Sequence, residues 1–222
     1  MEGLSDSDAF SFPLPACRNS QQGRSTRQTR GGSRRASRPR LERKLAAIVA
    51  ADVAGYSRLM GRDEEGTVHR LRALQAAVSR IVASHGGRTV TTAGDAMLFD
   101  FSSSVAALGC ALAIQRVVHL RSRGVSDNDR MLLRIGVNVG NVIVEGDDVF
   151  GEVVNIASRL EAIAEPGGVC ISQAAYLQCG RLFALDFADL GDQRLKNIAE
   201  PVRAYAIGDA GPEPDRPARR VG

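Results

Sequence analysis

Two aspartates stand at positions where their carboxylates could bind a metal ion. Asp52 ends an apolar run at 45–53 that is typical of a buried strand, and Asp95 lies in a Gly-Asp turn between two predicted strands. A carboxylate at the end of a buried strand costs free energy unless it lies at the strand mouth or binds a cation. Paired Asp oxygens suit Mg²⁺, and a two-metal site with ions about 4 Å apart would be built in this way. Each Asp alone also fits an ordinary turn or cap.

A second pair of side chains, Asn155 and Arg159, is four residues apart on a predicted helix at 152–164. This spacing puts both side chains on one face of the helix. An amide beside a guanidinium can hold a ribose oxygen and a phosphoryl oxygen. A solvent-facing polar pair explains the same two residues without a ligand, so the spacing alone leaves both interpretations open.

The elements that must position these residues follow the order β-α-β-β-α-β. Hydrophobic periodicity and turn residues predict them at 45–53, 64–85, 88–92, 96–101, 104–122 and 131–139. This order predicts an α+β, ferredoxin-like fold, with an antiparallel sheet and two helices on one of its faces. The first strand is central and the hairpin pairs beside it, so Asp52 and Asp95 can point to one edge of the sheet. Extra C-terminal β and α elements are predicted at 141–145, 152–164, 169–172, 173–179, 184–190 and 202–207.

Five segments of the chain resemble the catalytic domain of class III adenylate and guanylate cyclases, and more narrowly a bacterial soluble subgroup. They are AADVAGYSRLM (50–60), TTAGDAMLFDF (91–101), RIGVNVG (134–140), DDVFGEVVNIASRLE (147–161) and LKNIAEPVRAY (195–205). The resemblance covers about residues 42–208, and VNIASRLE with the preceding DDVFG is its most specific part. The fold of that family agrees with the β-α-β-β-α-β order.

The resemblance implies a purine nucleotide cyclase, with an adenylate cyclase favoured, which converts ATP to 3′,5′-cyclic AMP and pyrophosphate. In this family the 3′-hydroxyl attacks the α-phosphate in line, and two ions per site, Mg²⁺ or Mn²⁺, activate the hydroxyl and stabilise the triphosphate charge. Asp52 and Asp95 match the metal-binding aspartates of the family. The backbone carbonyl of Val53 matches a further metal ligand.

The same resemblance implies roles for residues that would contact the substrate. Asn155 matches the residue that orients the ribose, and Arg159 matches the arginine that stabilises charge on the α-phosphate. Lys196 matches a lysine that contacts the triphosphate, and Asp148 matches the acceptor of a hydrogen bond from the adenine amino group. The loop after the first strand would offer backbone amides to the β- and γ-phosphates, from Ala54, Gly55, Tyr56 and Ser57.

Active sites in this family form between two subunits. One subunit contributes the two aspartates, and the other contributes the residues that match Asn155, Arg159, Lys196 and Asp148. The resemblance therefore implies a head-to-tail homodimer with two equivalent sites and an inactive isolated monomer.

One position in the purine pocket departs from the pattern of the family. A Lys usually stands three residues before the Gly of the Gly-Asp turn, and here that residue is Thr91. Thr can donate or accept one hydrogen bond but has neither the reach nor the charge of Lys. Arg88 is near in sequence, but on a regular strand a residue three positions away points to the opposite face, unless a bulge intervenes. Asp148 alone then supports adenine selection.

Two questions of function therefore stay open. GTP is an alternative substrate to ATP, because the base-selecting pair is incomplete. A catalytically weak or inactive cyclase-like module that binds nucleotide or a partner in signalling is the alternative to an active enzyme. Turnover of a purine triphosphate separates these functions.

Charge divides the chain into three parts. Residues 1–40 contain eight Arg and three acidic residues, whereas residues 41–208 contain eighteen Lys or Arg and nineteen Asp or Glu. We expect a disordered Arg/Ser-rich tail at 1–41, the catalytic domain at 42–208 and a disordered C-terminal tail at 209–222. The sequence pI of about 9.2 is set by the N-terminal tail, so it does not indicate a nucleic-acid-binding core. An arm that binds RNA, anionic lipid or an acidic partner is an alternative for the tail itself.

Cysteine usage and hydropathy indicate the compartment. The four cysteines form no CxxC pair and no Cys/His metal spacing, which favours a reducing compartment over a disulfide scaffold. No apolar run approaches the roughly 20 residues that span a bilayer. The segment before LPAC (14–17) has three acids and a short apolar stretch, unlike an export signal. We expect a cytoplasmic protein without a membrane span.

Overall fold

The computed structural model describes residues 41–208, which form one eight-stranded sheet with helices on both faces. The predicted tails, apart from Leu41, lie outside the described residues. In chain order the elements are β1 (Glu42–Val53), α1 (Tyr56–Arg62), α2 (Glu64–Ser84), β2 (Arg88–Ala93), β3 (Ala96–Phe101), α3 (Ser104–Arg121), β4 (Leu133–Glu145), β5 (Asp148–Phe150), α4 (Glu152–Ile163), β6 (Val169–Ser172), α5 (Gln173–Cys179), a 3₁₀ turn (Gly180–Leu182), β7 (Ala188–Gln193) and β8 (Val202–Ile207). Within residues 41–208, no helix is both long enough and apolar enough to cross a membrane.

The sheet confirms the predicted α+β, ferredoxin-like arrangement with added C-terminal elements. Its strands follow the order β2-β3-β1-β4-β6-β8-β7, and β5 pairs with β4 at the side. β1 is antiparallel to both neighbours and pairs with β4 along its whole length, from Glu42↔Val144 to Val53↔Leu133. β4 and β6 form a parallel pair, which joins the ferredoxin-like part to the C-terminal strands.

The two faces of the sheet bury different sets of side chains. One face packs against α2, α3 and α5, and its core includes Val49, Phe99 and Ile135. The other face, here called the α4 face, packs against α4 through Ala46, Ile48, Ala50, Leu98 and Ala157. Alternation along β1 and β4 puts Asp52 and Arg134 on this same α4 face.

Three local predictions were wrong, and one helix was not predicted. Residues 56–62, to which the sequence analysis assigns no element, form the short helix α1. Residues 148–150, expected in a loop between predicted elements, form β5. Residues 133–145 form one strand rather than two, because Gly140 and Asn141 continue to pair with β1. The element predicted at 184–190 is β7, Ala188–Gln193. Short elements depend on tertiary pairing more than on local sequence, which explains these differences.

A close approach of backbones fixes α4 on the sheet. A Cβ atom on Gly136 of β4 would lie 2.1 Å from the carbonyl oxygen of Ala157 and 2.3 Å from the amide nitrogen of Glu161. Both atoms belong to the α4 backbone, so no side-chain rotation could relieve the overlap. Gly136 therefore determines how closely α4, which carries Asn155 and Arg159, packs on β4.

The first prediction follows from this contact. Gly136→Ala is expected to lower the free energy of unfolding by about 1–3 kcal/mol, because the added methyl forces α4 away from the sheet. Urea denaturation of both proteins measures the change. The matched control is Gly61→Ala in α1, whose Cβ would meet nothing within 4 Å and which is expected to keep or slightly raise stability. Equal stability of Gly136→Ala and the parent would contradict the close packing.

Candidate active site

Asp52 and Asp95 come together at the end of β1, as the sequence predicts. Asp52 is the penultimate residue of β1, and Asp95 lies in the β2–β3 turn after Gly94, whose φ of 62° requires the left-handed region. Their carboxyl groups are within hydrogen-bonding range. Burial and the neighbouring Asp52 carboxyl raise the pKa of Asp95 to about 7, although hydrogen bonds from the backbone of Asp95 and Val53 oppose the rise. Two acids are thus held closer than their charges favour.

Arg134 is the cation beside this carboxylate pair. It stands opposite Asp52 in the β1–β4 register, with its Nη2 atom 3.3 Å from Asp52 Oδ2. Its Nε atom lies 3.3 Å from Oε1 of Glu161 on α4, and both atoms are buried. The two atoms form an ion pair, but their angles do not meet those of a hydrogen bond. Burial raises the pKa of Glu161 to about 8, with repulsion from Asp52 adding to the rise and Arg134 opposing it. Arg134 therefore links the end of β1 to α4.

The segment after β1 starts the helix α1. Gly55 is the N-cap, with a φ of 69°, and Tyr56 and Ser57 form the first turn. Amides in a first helical turn have no partner within the helix, so they can donate to an anion. The amide of Ala54 is different, because it donates to the carbonyl oxygen of Leu132 at 2.8 Å. The predicted phosphate loop therefore loses Ala54 as a free donor.

Asn155 and Arg159 lie one turn apart on α4, as predicted. Asn155 is exposed and Arg159 is half-buried. Arg159 lowers the pKa of Glu161 electrostatically, which puts its guanidinium near the group that Arg134 contacts. Gly151, with a φ of 132°, precedes the helix and turns the chain from β5 into it.

The candidate base-recognition residues lie on neighbouring strands. Asp148 is the first residue of β5, is exposed and pairs with Glu145 of β4. β5 lies against β2, the strand of Thr91. The β2–β3 register shifts between Thr89 and Thr91, so Val90 is an extra residue in a bulge.

The bulge corrects the expectation for Arg88. Arg88 pairs with Asp100 and Thr91 pairs with Leu98, two β3 residues that both lie on the α4 face. Directly paired residues share a face, so Arg88 and Thr91 point to the same side instead of opposite sides. A regular strand would have separated them.

Lys196 lies apart from these groups, in the β7–β8 connection. Lys196 is exposed. The residue before it, Leu195, is buried, and the residue after it, Asn197, has a φ of 63°. Leu195 packs in a small core with Leu160 of α4, so the connection that carries Lys196 is anchored beside the site helix.

The acidic pair fits a divalent cation. Two carboxylates at one strand end supply the hard oxygen ligands that Mg²⁺ and Mn²⁺ take. The backbone carbonyl of Val53, the residue after Asp52, is a further candidate oxygen ligand. The repulsion that raises the pKa of Asp95 is the interaction that a bound cation would relieve. Within residues 41–208 no group of three or more His, Cys, Asp or Glu side chains could hold a metal, so backbone or substrate oxygens must complete the set.

Sequence reasoning missed the roles of Arg134 and Glu161. The pairing of Arg134 with Asp52 depends on a cross-strand register that the sequence does not specify. The signal that could have found them is an Arg in a strand on the same face as an Asp, together with a Glu two residues after Arg159.

A pH dependence of stability follows from Glu161. Its pKa rises from 4.5 in the unfolded chain to about 8 in the fold, so the folded state keeps a proton that the unfolded state releases. Stability of the metal-free protein is therefore expected to fall as pH rises from about 4.5 to about 8.

Glu161→Gln should make this decline in stability shallower, measured as Tm from pH 5 to pH 8 in EDTA. The control is Glu165→Gln, an exposed glutamate near the same helix, which should keep the parent slope. An unchanged slope in Glu161→Gln would rule out this cause.

Comparison with known proteins gives a consistent picture. The family model of the adenylate and guanylate cyclase catalytic domain matches residues 42–208. A Rhizobium meliloti (strain 1021) protein that carries the name adenylate cyclase 3 is 42% identical over 166 residues, which are 74% of this chain and 28% of that protein. An adenylate cyclase of Streptomyces coelicolor is 35% identical over 136 residues, 60% of this chain and 34% of that protein. The chain thus spans about a third of the length of these relatives.

A solved structure supports the same grouping. The adenylate/guanylate cyclase/hydrolase from Silicibacter pomeroyi is 41% identical, with a TM-score of 0.72, over 76% of this chain and 98% of that one. The match therefore extends over the sheet, α4 and the strands that carry the candidate site. The chain belongs to the adenylate and guanylate cyclase catalytic domain family.

Proposed function

We propose that this chain is a purine nucleotide cyclase that converts ATP to 3′,5′-cyclic AMP and pyrophosphate. The observation that carries the proposal is the pair of interacting carboxyl groups of Asp52 and Asp95, which lie at the end of the central strand β1 on the side of α4. Similarity to relatives named as adenylate cyclases supports the reaction and favours ATP over GTP. Because Thr91 stands where the family usually has Lys, the choice between ATP and GTP is tested directly in the experiment below.

In this proposal Asp52, Asp95 and the carbonyl of Val53 hold divalent cations, Mg²⁺ or Mn²⁺, against the triphosphate. Bound cations would supply Lewis-acid activation of the 3′-hydroxyl and neutralise charge on the phosphates. Asn155 holds the ribose so that its 3′-hydroxyl lines up with the α-phosphate. Arg159 donates to the oxygens of the α-phosphate as negative charge develops there. The leaving pyrophosphate is held by the first-turn amides of α1 and by Lys196.

The proposal includes a head-to-tail homodimer in which each site takes residues from both protomers. Asp52 in one protomer already has a cation partner, Arg134, from its own chain. Asn155 is exposed on α4 and Lys196 is exposed in the β7–β8 connection, so both are accessible to a second protomer. In this arrangement the aspartates of one protomer work with Asn155 and Arg159 of its partner.

The direct test is cyclic nucleotide formation by the purified chain, with ATP and GTP compared in Mg²⁺ and in Mn²⁺. Product from ATP is expected, and Asp52→Ala should abolish it because a cation ligand is lost. Asp129→Ala, which removes an exposed carboxylate in the loop before β4, is the control and should retain parent activity. Product mainly from GTP would overturn the base preference and keep the mechanism. No product from a folded, dimeric protein would favour the alternative, a non-catalytic cyclase-like module.

Mixing two inactive variants tests the shared site. Asp52→Ala and Arg159→Ala should each lose about 100-fold or more in kcat. A mixed dimer has one site with both lesions and one intact site, so mixing equal amounts should restore about one quarter of the parent activity. Cyclic AMP formed after co-refolding or prolonged mixing measures this recovery. A mixture no more active than its components would exclude a site shared between protomers.

A further inference from the structure

We propose that Arg88 is a positioning residue for base recognition, which fastens the β4–β5 turn so that Asp148 is held beside the strand of Thr91. The proposal rests on the proposed function, because Asp148 and Thr91 stand at the positions that the family resemblance implies for contact with the base of the nucleotide substrate. It assigns to Arg88 an action through Asp148 rather than a contact with the substrate.

The bulge in β2 makes this possible. Val90 is the extra residue, and it packs into the core beneath α4. Because of this insertion, Arg88 and Thr91 point to the same face of the sheet. Arg88 is thereby directed toward the β4–β5 turn and away from the opposite core.

One end of the Arg88 guanidinium is fixed by a buried acid. The side chain of Asp100 is 3% exposed, and its Oδ2 atom accepts from Arg88 Nη2 at 3.2 Å and from Lys44 Nζ at 2.7 Å. Its Oδ1 atom is buried and has no hydrogen-bond partner within residues 41–208. A buried carboxylate depends strongly on its cations, so Asp100 holds Arg88 in a defined direction.

The other end of the guanidinium holds the turn. Arg88 Nη1 donates to the backbone carbonyl oxygen of Asp147. Gly146, with a φ of 62°, and Asp147 are the two turn residues between Glu145 and Asp148. The bond to the carbonyl of Asp147 therefore fixes the peptide unit that leads directly into Asp148. The carboxylate of Asp147 contributes little, because it is fully exposed and 3.6 Å from Arg88.

This fastening matters because only one of the two expected base-selecting positions, Asp148, has a charged side chain. Without a Lys at Thr91, discrimination between a 6-amino and a 6-oxo purine depends on whether Asp148 can accept a hydrogen bond. A displacement of about 1 Å at such a contact is enough to lose most of its effect. A two-residue turn without an external anchor would let Asp148 move.

The test measures how Arg88 and Asp148 depend on each other. Arg88→Ala is expected to raise KM for ATP about fivefold to tenfold, with a change in kcat of less than about twofold. The ratio of kcat/KM for ATP to kcat/KM for GTP should move towards one. Asp148→Asn should lower the same ratio in the parent but have little further effect in Arg88→Ala. Full additivity of the two substitutions would overturn the proposal, because Arg88 would then act without Asp148.

Three further variants separate positioning from general effects. Arg88→Lys keeps a cation for Asp100, but one ammonium group cannot contact both Asp100 and the carbonyl of Asp147, so this variant should show the same rise in KM. It replaces Arg88→Ala in the test if Arg88→Ala fails to fold. Asp147→Asn leaves the carbonyl contact intact and should keep the parent ATP/GTP ratio. Arg203→Ala removes an arginine of similar exposure that pairs with Asp189 at the β7–β8 edge, and it should be neutral. Parent-like KM in Arg88→Lys would overturn the proposal.

Amide hydrogen exchange gives a readout that does not need catalysis. In the nucleotide-free protein, the amides of 146–149 should exchange about tenfold faster in Arg88→Lys than in the parent, because the turn opens more often. Faster exchange in a protein that forms no cyclic nucleotide would support the positioning role and refute the proposed function. Unchanged exchange would refute the positioning role whatever the activity.

Discussion

The proximity of two carboxyl groups, Asp52 and Asp95, is the constraint on which the candidate site depends. Burial, together with repulsion from the Asp52 carboxyl, raises the pKa of Asp95 to about 7, so holding the two groups together opposes folding at neutral pH. The backbone fixes the position of both groups, because Asp52 is the penultimate residue of the central strand β1 and Asp95 lies in the tight turn between β2 and β3. In the proposed function, a bound divalent cation would relieve this repulsion.

Cations on the α4 face are arranged around this constraint. Arg134 contacts Asp52 and Glu161, and Arg88 with Lys44 contacts Asp100. Asp52, Glu161 and Asp100 thus have basic partners from the sheet itself, whereas Arg159 on α4 acts on Glu161 only as a neighbouring charge and forms no direct ion pair within residues 41–208. A guanidinium without a fixed internal partner is available for phosphate.

Much of the fold and part of the site could be predicted from the sequence, for identifiable reasons. Asp52 and Asp95 were placed together because the β-α-β-β-α-β order alone makes the first strand central. Asn155 and Arg159 were placed on one face because helical spacing is local. Arg88 was placed on the wrong face because a bulge is set by the pairing of two strands, and the link from Arg134 to Asp52 requires a cross-strand register.

The length of β4 has a consequence for how such a chain can change over time. Arg134, opposite Asp52, and Glu145, opposite Asp148, stand near its two ends, so about 35 Å of strand lies between these two positions. Inserting or deleting one residue in β4 would change this separation by about 3.3 Å and turn every following side chain to the other face. Such a change would break the register with β1 that sets Arg134 opposite Asp52, so we expect the length of β4 to be constrained.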